Sequence, residues 1–327
     1  MPTILVAGTK NQPFASFSQV IQSQDGINWS DSGIPFGPRD FCTGIATNGS
    51  LWLISNQRGL ISSTTDLLNY KSVIMNDGFG TTSLACANSA WLSTGSYNYI
   101  NGFGPYPAKT QVAQIYRSNY GDKGWQMVWT HPTDSSIFYQ VQHFPNAPIT
   151  NSLNADVWVV VGNNGTGQGD IWYSLDSGVS WTQAQLPSNI GVIYSVTLYQ
   201  LSGQPVWYWG TRGKIFLSSN LHTATWDEVL LDNTDTAVGF TQSSSGTLLV
   251  NGSNKLYTSL DGVIFRTFSY SGYVWGGVTV MEFTSGPRWL AFANSTLTQY
   301  TYWLSYDLVN WTPLSNGITS QASTVFG

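Results

Sequence analysis

The sequence predicts an all-β fold, a seven-bladed β-propeller with four-stranded antiparallel blades. Three observations support this prediction. A short motif recurs seven times within the 327 residues, its spacing is regular, and short β-rich runs broken by Gly, Pro, Asn and Asp surround each copy. No apolar period of 3.6 residues is sustained, so we expect very little helix.

The repeated motif starts with a hydroxyl residue, has Asp or Asn two positions later, and ends in an aromatic residue. Six copies follow this plan: SQDGINW, TTDLLNY, SLDSGVSW, SSNLHTATW, SLDGVIF and SYDLVNW. In a seventh, SNYGDKGW, the Asp is displaced. The first hydroxyls stand at 23, 64, 118, 174, 218, 259 and 305, and the interval from 305 through the chain end back to 23 is 45 residues. The other intervals run from 41 to 56, so the repeat predicts a ring of seven units.

Each unit is predicted to contain four strands, with the motif as the turn between the third and the fourth. In the last unit we expect strands at 277–283, 288–293, 300–305 and 311–314. Residues 3–8 match a second strand, and the tail 322–327 matches the missing first strand. One blade would then combine both chain ends, which closes the ring and leaves no open sheet edge. The predicted blades of this single domain are 1–36 with 319–327, 37–78, 79–134, 135–188, 189–233, 234–271 and 272–318.

The chemistry of the motif indicates a turn. An Asp two residues into a turn can accept backbone N–H groups, and Gly supplies a positive φ. The pattern Ser-x-Asp-x-Gly-x-x-Trp, complete around Asp176, resembles the Asp-box (bacterial neuraminidase, BNR) repeat of β-propellers over nearly the whole chain. The resemblance implies a structural role, at the end of the blades remote from the ligand, for Asp25, Asp66, Asp176, Asn220, Asp261 and Asp307.

Composition narrows the possible partners. Only 9% of residues are charged, against roughly 25% in an average soluble domain, and 14% are aromatic. The net charge is −5 and the 12 cationic residues are scattered, so nucleic-acid binding is not expected. Two Cys and three separated His predict no metal site, and no cofactor fingerprint is present. No apolar run reaches membrane-spanning length and no signal peptide is evident, which predicts no membrane insertion.

Candidate ligand-binding residues come from the loops between second and third strands and from the connections between blades. These share one end of the blades, opposite the motifs. The longest such loop, 95–107, is rich in aromatic residues, which suit stacking on sugars or a protein interface but could instead pack their own loop. The candidates are Tyr97, Tyr99, Phe103, Tyr106, Tyr273, Trp275, Arg39, Arg58 and Arg212.

These observations favour a non-enzymatic recognition or assembly module. We expect a propeller associated with a virus or phage particle that binds host glycan or neighbouring virion proteins, located in the virion, outside the cell after lysis, or otherwise in the cytoplasm. A cellular propeller lectin is one alternative, and a sialidase-like or other glycoside hydrolase is another. The resemblance implies that a sialidase needs three Arg, a Tyr paired with Glu, and an Asp. This chain has only two Glu, Glu228 and Glu282, and Glu282 is expected on an inner strand, where a core role competes with a catalytic one.

Overall fold

The computed structural model describes residues 4–12, 15–33, 35–36, 42–75, 79–87, 90–97, 112–188, 190–223, 226–269, 273–295, 300–314 and 320–326. All regular secondary structure in these ranges is β-strand. The strands form four-stranded antiparallel sheets, seven of them within the described ranges. The predicted all-β class and the four-stranded antiparallel sheet are therefore confirmed.

The first four sheets are numbered along the chain. Sheet 1 has the spatial order β28 (Ser320–Phe326), β1 (Ile4–Gln12), β2 (Ala15–Ser23), β3 (Ser30–Asp31). Sheet 2 contains β4 (Cys42–Thr47), β5 (Trp52–Asn56), β6 (Leu60–Thr64) and β7 (Lys71–Ile74). Sheet 3 contains β8 (Phe79–Ala87), β9 (Ala90–Tyr97), β10 (Val112–Ser118) and β11 (Gln126–Thr130). Sheet 4 contains β12 (Ile137–Thr150), β13 (Leu153–Asn163), β14 (Gly169–Ser174) and β15 (Thr182–Gln183).

Three further sheets follow the same order. Sheet 5 contains β16 (Ser195–Leu201), β17 (Gln204–Gly210), β18 (Lys214–Ser218) and β19 (Asp227–Leu230). Sheet 6 contains β20 (Ala237–Gln242), β21 (Leu248–Gly252), β22 (Leu256–Ser259) and β23 (Arg266–Phe268). Sheet 7 contains β24 (Tyr273–Met281), β25 (Arg288–Ser295), β26 (Tyr300–Ser305) and β27 (Thr312–Leu314).

Both ends of the chain contribute to sheet 1. The C-terminal strand β28 pairs antiparallel with β1, with Leu5 opposite Phe326 and Lys10 opposite Ser320. The register shifts once, between Ala7 and Gly8. The N-terminal strand therefore takes the second position of a sheet whose first strand is the tail.

The chain divides into two compact units, each described by itself. Unit 1 comprises Met1–Cys42, Ser195–Leu217 and Asp227–Gly327, and holds most of sheets 1, 5, 6 and 7. Unit 2 comprises Thr43–Tyr194 and Ser218–Trp226, and holds most of sheets 2, 3 and 4.

In both units the core lies between consecutive sheets. In unit 1, apolar clusters join sheet 5 to sheet 6, sheet 6 to sheet 7, and sheet 7 to sheet 1. In unit 2, similar clusters join sheets 2 and 3 and sheets 3 and 4. The second strand of a sheet is consequently buried on both faces: Trp207, Tyr208 and Trp209 on β17 are all fully buried. The fourth strands are short and largely exposed.

The turns between third and fourth strands have the hydrogen bonds that the motif predicts. In residues 23–29, Oδ1 of Asp25 accepts the backbone N–H groups of Ile27 (2.8 Å) and Asn28 (2.7 Å), and the Ser23 hydroxyl donates to the same oxygen. The amide of Asn28 donates to Oδ2 (2.7 Å). Equivalent bonds surround Asp66, Asp176, Asp261 and Asp307. We call the turns that carry the seven copies of the motif the box turns. They are 23–29, 64–70, 118–125, 174–181, 218–226, 259–265 and 305–311.

Two box turns depart from this plan, as their sequences do. In 218–226, Asn220 replaces Asp; its Oδ1 accepts the N–H of His222, and its amide donates to Asn151. In 118–125, the hydroxyl of Ser118 accepts the backbone N–H groups of Tyr120 and Gly121. A local polar side chain thus organises these two turns as well.

The predicted bounds of the first strand of sheet 7 are wrong. The first strand of sheet 7 is Tyr273–Met281, not 277–283, and its pairing with β25 is shifted between Trp275 and Gly277. Glu282 therefore lies beyond the strand end, is exposed, and accepts the backbone N–H of Ser244 (2.7 Å). The inner-strand position expected for Glu282 is wrong.

Candidate recognition surface

The loops between second and third strands lie at the same end of each sheet as the connections that lead into first strands, and we call this the loop end. In unit 1 its described parts include residues 210–213, 231–236 and 252–255. In unit 2 they include residues 56–59, 131–136, 163–169 and the described part of 184–194. The box turns lie at the opposite end, the box end.

A buried carboxylate organises the loop end of unit 1. Asp235 is fully buried in the connection between sheets 5 and 6. Its Oδ1 accepts the Ser253 hydroxyl (2.6 Å) and the backbone N–H groups of Thr236 (2.9 Å) and Asn254 (2.8 Å). The other oxygen accepts the N–H of Lys255 (3.1 Å) and the Tyr257 hydroxyl (3.0 Å). The connection and the 252–255 turn are thus held together by five donors on one side chain.

The exposed and half-buried groups next to Asp235 are polar. The Lys255 ammonium donates to Asp232 (2.5 Å), and this bond, with those from Thr234, holds the pKa of Asp232 well below its ordinary value. Arg212 is exposed at the tip of the neighbouring turn, where it forms a backbone bridge with Thr236. This part of the surface therefore offers both charge signs on a rigid backbone.

A second buried polar group organises the loop end of unit 2. The imidazole Nε2 of His131 and Oδ2 of Asp170 are 2.5 Å apart, and both side chains are buried. Asp170 also accepts the Trp172 indole N–H (2.8 Å) and the Gln183 amide (2.9 Å). His131 Nδ1 lies 2.9 Å from the backbone N–H of Thr133. These contacts hold the connection into sheet 4 against its third and fourth strands.

Two half-buried tyrosines stand beside these held segments in unit 2. Tyr139 on β12 and Tyr194, next to the start of β16, have ring centroids 5.0 Å apart with planes tilted by 38°. Burial, opposed by a hydrogen bond from Asn163, raises the pKa of Tyr139. The adjoining loop has exposed polar residues around Thr166, and Gly169 donates its N–H to the Ile190 carbonyl (3.0 Å). Paired aromatic rings beside amide groups are suited to polar ligands that present an apolar face.

The ligand-binding residues predicted from sequence differ in where the structure places them. Arg58 in unit 2 and Arg212 in unit 1 are exposed at the loop end, as expected. Tyr97 ends β9 and Tyr273 begins β24, but their side chains lie outside the described part. Arg39, Tyr99, Phe103 and Tyr106 lie outside the described residues altogether.

The prediction for Trp275 is wrong. Its side chain is only 2% exposed and packs in the core between sheets 6 and 7, with ring centroids 6.0 Å from Phe268 and 6.1 Å from Trp303. A side chain with both faces covered in this way stabilises the fold and cannot contact a ligand. The shifted pairing next to Trp275 changes which residues of β24 face the core.

Sequence reasoning missed four residues that shape this surface: Asp170, Asp235, Tyr139 and Tyr194. The two carboxylates stand in polar segments of the sequence that contain Gly, Asn or Thr, yet both are fully buried. One signal was available in the sequence for Asp170. It follows a Gly-containing turn and stands two positions before Trp172, whose indole N–H can donate to a carboxylate. Tyr139 and Tyr194 are 55 positions apart and gave no sequence signal.

Solved structures resemble this chain over most of its length. The WD40 β-propeller domain of Doa1 is 10% identical, with a TM-score of 0.59 and coverage of 94% of this chain and 99% of that chain. YCF48 bound to D1 peptide is 11% identical, with a TM-score of 0.54 and coverage of 83% and 81%. A chain of a nidogen/laminin complex is 10% identical, with a TM-score of 0.52 and coverage of 82% and 94%. The fold is a β-propeller.

Its blades are accordingly the four-stranded antiparallel sheets, and each blade keeps the number of its sheet. No protein-family model matches the sequence, and no curated protein matches it. The described residues include no helix long and apolar enough to cross a membrane. Among those same residues, no group of three or more His, Cys, Asp or Glu is arranged to hold a metal ion.

Proposed function

We propose that this propeller is a non-enzymatic recognition module that binds a protein or peptide partner through its loop end. The observation that carries the proposal is the pair of buried polar clusters, around Asp235 in unit 1 and around His131 and Asp170 in unit 2. Each cluster holds turns and connections in one conformation. Loops ordered before binding lose less conformational entropy on contact with a partner, which favours recognition.

The groups exposed or half-exposed on these held loops fit a protein partner. Tyr and Arg are enriched among the residues that dominate protein–protein binding energy, because they combine apolar area with hydrogen-bonding groups. Tyr139, Tyr194 and Arg212 are residues of this kind. Two of the similar propellers were solved as complexes, one with a D1 peptide and one of nidogen with laminin, which supports the same use of the fold here.

The acidic residues support a non-enzymatic role. A glycosidase needs two carboxyl groups positioned about a glycosidic bond. In this chain Asp170 and Asp235 hold backbone segments, Glu228 pairs with Lys214 (2.7 Å), and Glu282 accepts the Ser244 N–H. Each of these carboxylates has a partner that accounts for its position.

Glycan binding is the second candidate, favoured by the tyrosine pair itself. The tilted rings offer an apolar face to a sugar, and the exposed side chains of Thr166 and Gln168 in the adjoining loop offer hydrogen-bonding groups. The low content of charged residues also fits a neutral ligand. A protein receptor and a glycan would use the same loop end, so one set of variants tests both.

We also propose where the protein acts and how its blades are arranged. The uncharged, polar and aromatic composition supports a role on a virus or phage particle, where the partner would be a host glycan, a host protein or a neighbouring virion protein. The seven regular motif intervals and the pairing of β28 with β1 support a single closed ring of seven blades. Mass spectrometry of purified particles tests the first proposal. Small-angle scattering tests the second, because a closed ring predicts one compact particle.

The decisive experiment is a binding screen with matched variants. Wild-type protein is applied to a peptide array and a glycan array, and each hit is measured again with Tyr139→Ala/Tyr194→Ala and with Arg212→Ala. The control is Tyr120→Ala, which removes an exposed tyrosine from a box turn. We expect the loop-end variants to weaken binding by about tenfold or more, which is about 1.4 kcal/mol, and the control to leave it unchanged. Hits that all survive the loop-end substitutions would exclude this surface.

A further inference from the structure

The box end presents most of the large apolar side chains that the described part of the chain leaves in solvent. Of the 14 exposed large hydrophobic residues, nine are in box turns. They are Leu68, Tyr120, Leu175, Val179, Leu260, Val263, Ile264, Tyr306 and Val309. Turns of a monomeric protein are ordinarily polar, and clustered exposed apolar groups mark interaction sites. Fixing the turn requires none of these side chains, because the Asp carboxylate and backbone groups do so.

Five of these side chains come from two box turns of unit 1 whose blades pack against each other. Leu260, Val263 and Ile264 come from the box turn of blade 6, and Tyr306 and Val309 from that of blade 7. Their exposed fractions lie between 49% and 76%. We call these five residues the box patch.

A groove joins the two turns of the box patch. It has a volume of about 250 Å³, and its apolar lining comes from Leu260, Ile264, Leu308 and Val309. The carboxylates of Asp261 and Asp307 line the same groove, as does Arg266. Apolar side chains and carboxylates therefore line the same groove between the two blades.

The surface continues to blade 1. The guanidinium of Arg288 lies 5.9 Å from the ring centroid of Tyr306 and 4.3 Å from that of Phe283, and it donates to the Asp25 carbonyl (2.6 Å). A second pocket has a volume of about 640 Å³. Its lining includes Arg288, Phe283 and Asp25, together with Asn28 and Trp29. Three successive blades of unit 1 thus contribute to one extended face.

The charge of this face selects the partner. In the patch region the carboxylates of Asp25, Asp261 and Asp307 outnumber the guanidinium groups of Arg266 and Arg288, and Arg288 already donates to the Asp25 carbonyl. In the patch region Asp25, Asp261 and Asp307 accept backbone N–H groups, which hold their carboxylates in the ionised form. A second copy of this end would bring the same negative charge, and an anionic lipid surface would be repelled as well. A cationic partner gains Coulomb attraction at the same place where it buries apolar groups.

We propose that the box patch is a second docking surface, whose occupant is an extended segment of a partner protein in which apolar side chains alternate with Lys or Arg. The apolar side chains enter the groove between blades 6 and 7, and the cations lie against Asp261 and Asp307. This surface is independent of the loop end and would allow the propeller to bridge two partners.

The test uses synthetic peptides as probes. A 12-residue peptide of alternating Leu and Lys is titrated by fluorescence anisotropy against wild type and against Leu260→Ser/Ile264→Ser/Val309→Ser. A peptide of alternating Leu and Glu tests the charge requirement. The matched protein control is Ile74→Ser/Leu230→Ser, which removes equally exposed aliphatic residues (67% and 69%) from fourth strands. Thermal unfolding confirms that the variants are folded, and the single substitution Leu260→Ser replaces the triple variant if that one is not.

We expect the Leu–Lys peptide to bind wild type, more weakly at high salt, and to bind the triple variant at least tenfold more weakly. The control variant and the loop-end variant Tyr139→Ala/Tyr194→Ala should bind within twofold of wild type, which separates this proposal from the loop-end function. Equal binding of the triple variant, or equal binding of the Leu–Glu peptide, would overturn it. So would patch-dependent self-association in sedimentation velocity, or patch-dependent binding to vesicles of three parts phosphatidylcholine to one part phosphatidylserine.

Discussion

The buried carboxylate of Asp235 gives the sharpest test of how the loop end is held. In Asp235→Asn the side chain keeps its size, but one acceptor oxygen becomes an NH₂ donor and the charge is lost. Whichever way the amide turns, at least one backbone N–H, from Lys255 or from Thr236 and Asn254, then faces another donor. An unsatisfied buried group costs about 1–3 kcal/mol, and the remaining bonds lose their charge assistance. We expect the 252–257 turn to lose about 3 kcal/mol of local stability.

The assay is hydrogen exchange with mass spectrometry on peptides that cover residues 250–258. A loss of about 3 kcal/mol corresponds to roughly 100-fold faster exchange at those amides. The control is Glu228→Gln, which makes the same chemical change in a solvent-exposed pair with Lys214 and should leave exchange within about threefold. If Asp235→Asn exchanges at the wild-type rate, the carboxylate does not hold the loop and the reasoning is refuted.

Three further predictions concern the fold. Hydrogen bonds from backbone and side-chain groups outweigh desolvation and lower the pKa of Asp25 and of Asp176 to about 2. The ionised carboxylates therefore stabilise the folded state fully above about pH 4, and this stabilisation, about 1 kcal/mol for each after solvent screening, is lost as the pH falls through 2. Measuring the thermal midpoint at decreasing pH should show the loss, and a midpoint that does not change with pH would contradict the prediction. Gly178→Ala should lower the thermal midpoint by several degrees, because φ is +83° and a Cβ would lie 2.7 Å from a Leu92 methyl, whereas exposed Ser177→Gly, at φ +59°, should raise it slightly. Deleting 320–327 leaves one edge of β1 unpaired and should lower the thermal midpoint by more than 5 °C, whereas removing Gly327 alone should not change it.

The sequence was most informative where one residue type recurs in one role. Asp25 and Asp307 could be assigned to turns because each follows a hydroxyl residue by two positions and precedes an aromatic one. The number and order of strands followed from the same repeat. The Asn at the third position after Asp, which donates to the second carboxylate oxygen in three turns, was visible in the sequence but had no assigned role.

The loop end was less predictable because burial depends on neighbours far apart in sequence. Asp235 stands in an Asp-Asn-Thr-Asp run that is typical of a solvated loop, and only its contact with the 253–257 segment makes it a core residue. The prediction for Trp275 was wrong in the opposite direction, because a residue expected at the surface is buried. In a sheet buried on both faces, alternation no longer separates inward from outward positions, so a tryptophan near a strand end looks like a surface anchor.

The exposed aliphatic residues of the box turns show a third limit. Leu260 and Ile264 fit the apolar alternation of the strands beside them, and the sequence does not distinguish a turn residue that packs from one that points into solvent. The resemblance to the Asp-box repeat implies that a ligand binds at the opposite end of the blades. The exposed patch became evident only when the burial of each turn residue was known.

The proposed function is recognition of a partner by the loop end. The most direct measurement is a hydrogen-exchange footprint of the protein with and without the strongest hit from the peptide and glycan arrays. Recognition by the loop end predicts slower exchange at 163–169 and 190–194 or at 210–213 and 252–255, with exchange in the box turns unchanged. Protection confined to the box turns, or no protection at saturating ligand, would contradict it.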